Sequence, residues 1–68
     1  MLRIRQLRER KGVSLRELAR RAGVGVATLS RIESGEANPR MSTLLQLAEA
    51  LGVFVGHLFK RPSKRKGG

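Results

Sequence analysis

Sixty-eight residues make one small domain, and the absence of cysteine excludes disulfides and thiolate metal sites, so helix packing or a partner subunit must supply the stability. Fifteen Lys and Arg against five Glu set the net charge at +10, and residues 1–59 keep ten of those bases against all five acids. A small basic body points to a polyanion, most often nucleic acid, while no apolar run approaches the roughly 18 residues of a membrane span.

The first helix is expected over 1–11, with Ile4 and Leu7 inward, Leu2 extending the stripe, and Gly12 ending it. The basic N-terminus has no apolar stretch behind it, so it is not a secretory signal. A cysteine-free, leaderless chain fits the cytoplasm. Ser14 and Glu17 have the spacing of a capping box, in which the hydroxyl takes the third helical amide and the carboxylate reaches back to the cap. They open a second helix, 15–22, with Leu15, Leu18, Ala19 and Ala22 at helical spacing.

Gly23 ends the second helix, because a sharp exit needs a residue that tolerates positive φ. A third helix follows over 26–34, with Gly25 at its cap and Leu29 and Ile32 on its apolar face. Two short helices joined by a glycine turn make a helix-turn-helix. Residues 35–40 read as a loop through Asn38-Pro39. A fourth helix over 41–51 buries Leu44, Leu47, Ala48 and Leu51. The apolar run 53–59 suggests a short fifth helix at about 55–60. The tail, 61–68, is basic, lacks an apolar anchor and is expected to be disordered.

The runs Ile4–Arg8, Gly12–Ala19, Gly23-Val24, Leu29–Gly35, Thr43–Val53 and Leu58-Phe59, in that order and spacing, resemble the Cro/C1-type (XRE-like) helix-turn-helix family. The resemblance covers residues 1–60. It implies an all-α, five-helix lambda-repressor-like domain that binds double-stranded DNA as a dimer, a sequence-specific transcriptional regulator and repressor. The third helix would then enter a major groove about 12 Å wide, and a dimer would favour half-sites about 34–36 Å apart.

Carried over by place in the motif, the base-contacting positions are Val26, Ala27, Thr28 and Arg31. An Arg can pair bidentately with guanine, whereas Val26 and Ala27 offer only contact with thymine methyls. The phosphate contacts are Ser14, Leu15, Arg16, Ser30, Asn38 and Arg40. Leu15 stands where many members have Gln, so its contribution passes to its backbone amide and to Arg16. Gly25 replaces the usual Ser or Thr cap, and Phe54 a polar one. Arg8 and Glu33 match a structural ion pair of the family.

A homodimer contact is expected through Phe54, Val55, Leu58 and Phe59, more apolar residues than one short helix needs. The residues supply no catalytic constellation, metal set or cofactor motif: there is one His and no Asp or Cys. Two other readings fit the same residues. One is an antitoxin-like module that binds a protein partner as well as DNA; the other is a sequence-neutral nucleic-acid binder.

Overall fold

The computed structural model describes residues 2–59. Four α-helices follow one another: α1 (Ile4–Arg10), α2 (Leu15–Ala22), α3 (Val26–Ser34) and α4 (Met41–Leu51), with a single 3₁₀ turn at Val55–Leu58. Their inward stripes meet in one core. Ile4, Leu18, Leu29, Leu47 and Leu58 are its fully buried members, drawn from every element. The longest helix, α4, packs against α2, α1 and the 3₁₀ turn, and α2 packs in turn on α3. Ala19, Ala22 and Ala48 are buried where these helices approach one another.

The bounds of α2, α3 and α4 coincide with those read from the sequence. The two ends of the chain differ. Helix α1 begins at Ile4, and Leu2 leaves it to form an isolated antiparallel bridge with Phe59. The Arg3 N–H donates to the Leu58 carbonyl at 2.6 Å across this junction. The expected fifth helix is therefore only the 3₁₀ turn. Four residues that include Gly56 cannot sustain an α-helix, and Phe59 is extended, its backbone turned to Leu2.

Leu58 is fully buried and belongs to the core, so it cannot form part of the expected dimer contact. Phe54 and Phe59 are exposed, and Val55 is half-buried. Met1, Lys60 and the basic tail 61–68, with the disorder expected there, lie outside the described residues.

Candidate nucleic-acid interface

The α2–turn–α3 unit is built by local hydrogen bonds. The Ser14 hydroxyl accepts from the Glu17 N–H at 3.0 Å and starts α2. The reciprocal half of the capping box is absent. The Glu17 carboxylate instead accepts from the Arg21 guanidinium at 2.8 Å and from Arg20. Two arginines three and four residues ahead lie over the same helix face and outcompete one amide for the carboxylate. Arg21, then Arg20, hold the Glu17 carboxyl below the usual carboxylate range.

That direction fixes a pH dependence. The folded state binds the Glu17 proton less tightly than the unfolded chain does. Its contribution to stability is present above an unfolded Glu pKa of about 4.3 and is lost as pH falls through the lower folded value. Glu17→Gln is expected to flatten the acid limb of a stability–pH profile from urea titrations and to leave a residue that differs little between pH 3 and 7 in its charge.

Gly23 turns the chain at φ 73°, and the Val24 N–H reaches back to the Ala19 carbonyl at 3.0 Å, a Schellman ending. Gly25 then caps α3 in an extended conformation at φ −72°, with no side-chain hydrogen bond. A Cβ at this position would meet only Thr28 Oγ1, at 3.6 Å. Gly25→Ser is therefore expected to stabilise the domain by about 0.5–1 kcal/mol, part from the new cap and part from a less disordered unfolded chain. Thermal melts should register it as a rise of a few degrees.

Leu29 and Ile32 bury one face of α3 and turn the other outward. Val26, Ala27, Thr28, Ser30 and Arg31 are all exposed there. Arg31 is anchored at its root. Its carbonyl accepts from the Glu36 N–H at 2.9 Å, the Ala37 N–H at 3.2 Å and the Ser34 hydroxyl at 3.1 Å. Its guanidinium has no carboxylate partner among the described residues, and the same is true of Arg16 and Arg40.

Thr28, Asn38 and Arg40 come together around an open cleft of about 300 Å³ between α3, the 35–40 loop and the start of α4. Ser42 and Thr43 line the same cleft, and sequence reading missed both. Their position in the first turn after Pro39-Arg40 was the available signal. Of the other expected phosphate contacts, Ser14, Arg16 and Ser30 are exposed, with the Ser14 hydroxyl engaged by Glu17. The Leu15 side chain packs against the core and leaves only its backbone for such a role.

Behind this face sits the brace. Arg8 Nε donates to Glu33 Oε2 at 2.8 Å, and Nη2 donates to Oε1 at 3.2 Å, a bidentate pair that joins α1 to α3. Nη1 donates to the Val13 carbonyl at 3.0 Å, tying in the α1–α2 turn. Arg5 adds a longer contact to Glu33 at 3.5 Å. The Glu33 side chain is 1% exposed and that of Arg8 13%. The hydrogen bond to Glu33 raises the Arg8 pKa above its ordinary value against the opposing effect of burial. The pair joins α1 to α3 from behind the exposed face.

Comparison with known proteins places this arrangement. A family model described as helix-turn-helix matches residues 4–53. The chain is 38% identical over 58 residues to the HTH-type transcriptional regulator DdrOP3 of Deinococcus deserti, covering 85% of this chain and 45% of that protein. It is 39% identical over 59 residues to the HTH-type transcriptional repressor RghR of Bacillus subtilis, covering 84% and 44% respectively. The chain thus spans less than half the length of these two curated relatives. Among solved structures it is similar to the N-terminal DNA-binding domain of the biofilm regulator SinR from Bacillus subtilis. That match has a TM-score of 0.76 and 38% identity, and covers 97% of this chain and 100% of that one.

Proposed function

Because this chain belongs to the Cro/C1-type helix-turn-helix family, we propose that it is a sequence-specific double-stranded DNA-binding transcriptional regulator, a repressor, that sets α3 into the major groove. One observation carries this reading. The outward face of α3 presents Val26, Ala27, Thr28, Ser30 and a carboxylate-free Arg31, while Leu29 and Ile32 seat the helix in the core. An exposed helix face with one guanidinium that has no carboxylate partner among the described residues suits the edge of a guanine.

Arg16, Asn38 and Arg40, with the amides at the start of α2, serve as phosphate contacts, which fix orientation rather than sequence. Val26 and Ala27 add apolar contact, and Thr28 reaches phosphate or a base edge from the cleft it shares with Asn38 and Arg40. With one strong hydrogen-bonding side chain on the reading face, DNA shape carries part of the choice. Two copies associate through Phe54, Val55 and Phe59, the exposed and half-buried apolar residues that follow α4. No helix among the described residues is long and apolar enough to cross a membrane.

A binding selection from random duplexes at fixed, near-physiological salt tests this function. It is expected to enrich an inverted repeat. Arg31→Ala is expected to cost about 1–3 kcal/mol on the enriched site and to relax preference at one position of each half-site. Arg16→Ala, by contrast, should weaken all duplexes alike and reduce the salt slope by about one. Enrichment of no sequence would overturn sequence-specific recognition in favour of a sequence-neutral binder.

A further inference from the structure

The outer face of α4 carries an apolar row that the DNA-facing residues do not use. Met41 and Leu45 are 58% and 50% exposed and stand one turn apart. Glu49 follows at the same spacing and is also exposed. Residues four apart form one ridge of a helix, the ridge by which helices most often interlock.

The ends of α4 are charged against its own dipole. Its first turn has no acidic residue, and its cap, Arg40, makes no side-chain cap bond. Its last turn has no base and contains Glu49. A carboxylate is favourable at a helix N-terminus and unfavourable at a C-terminus. Glu49 forms no ion pair among the described residues. Arg20 and Arg21, which border a shallow pocket with it, are held by Glu17.

We propose that this row is a self-association surface, on which α4 of a second copy of this chain packs antiparallel with Leu45 at the two-fold axis. That register sets Leu45 against its own counterpart and each Met41 against the stem of the other copy's Glu49. It also brings each Glu49 carboxylate to the uncapped N-terminus of the opposite helix. A single symmetry operation covers the apolar row on both copies and supplies a carboxylate to both uncapped N-termini. The surface contains no residue of 54–59 and goes beyond the DNA-binding reading without depending on it. Two apolar side chains per copy fall far short of the roughly 800 Å² per partner of a stable complex. The contact is therefore weak in dilute solution and strengthens when copies are held side by side.

The chain lacks cysteine, so a single introduced thiol reports the contact cleanly. At high protein concentration in a glutathione buffer, Leu45→Cys is expected to form the disulfide-linked dimer at least about tenfold faster than Gln6→Cys, an exposed neutral position on α1, because the contact raises the local thiol concentration. Adding Glu49→Lys should slow the Leu45→Cys reaction severalfold. Glu9→Lys, which changes net charge equally on exposed α1, should leave that reaction within about twofold, since distant surface charges are screened. Trapping at Leu45→Cys no faster than at Gln6→Cys would overturn the proposal, as would equal slowing by the two lysines. Phe54→Cys reports the other contact. Rapid trapping there with none at Leu45→Cys would overturn the α4 surface and leave the 54–59 dimer standing, with DNA binding read separately by duplex titration.

Discussion

Arg8→Ala is expected to destabilise the domain by about 3–5 kcal/mol, because it leaves the Glu33 carboxyl, on a side chain only 1% exposed, without its bidentate partner. A domain of this size holds on the order of 3–10 kcal/mol in all, at about 0.05–0.15 kcal/mol per residue. The variant should therefore lose about a third or more of the total, with its urea midpoint lowered in proportion. Arg5 touches Glu33 only at 3.5 Å from an exposed position and cannot take over. The matched double replacement Arg8→Leu with Glu33→Leu should recover most of the loss, since removing both charges leaves nothing stranded. Urea titrations of the wild type, Arg8→Leu, Glu33→Leu and the double variant measure the coupling directly. If the singles lose less than about 1 kcal/mol, the pair behaves as a surface salt bridge and the brace is not structural.

Leu29→Ala is expected to cost about 2–5 kcal/mol. Leu29 is fully buried at the centre of α3 and is the residue that seats the reading helix. The loss combines the lost transfer of the side chain with the cavity left between α3 and its neighbours. Leu29→Met, which conserves volume, should cost less than about 1.5 kcal/mol. On DNA the two kinds of change separate. After correction for the folded fraction, Leu29→Ala should keep the wild-type order of preference among duplexes. Arg31→Ala should keep the fold and change that order at the one position of each half-site that it reads. A changed preference in folded Leu29→Ala would mean that the angle of α3, and not its side chains alone, selects sequence.

The central part of this fold was legible because each helix announces both ends. Ser14 opens α2, glycines at 23, 35 and 52 stop three helices, and Leu44, Leu47, Ala48 and Leu51 mark the inward stripe of α4. The ends of the chain were not legible for the opposite reason. A bridge of one residue with one other, Leu2 with Phe59, has no period to read. The short apolar run 53–59 fits a helix as well as a 3₁₀ turn until its partner is known.

The Arg8–Glu33 brace followed from family resemblance, with side chains 25 positions apart that no local pattern joins. The Glu17 carboxylate shows a local rule overridden by a local competitor: the capping-box spacing was right for the Ser14 hydroxyl, but the carboxylate is taken by Arg20 and Arg21. The cleft joining Thr28, Asn38, Arg40, Ser42 and Thr43 exists only once the 35–40 loop brings the start of α4 beside α3, so sequence could name some members without assembling them.

The Leu2–Phe59 bridge has a consequence for the order of folding. It closes a loop that contains nearly the whole described chain. The entropic cost of such a closure, which grows with the logarithm of loop length, falls only once α1 and the 3₁₀ turn have already docked on α4. The bridge therefore forms last and opens first. The 2.6 Å bond from the Arg3 amide to the Leu58 carbonyl is a latch on a finished domain, and its amide proton should exchange with solvent long before those of α2 or α4.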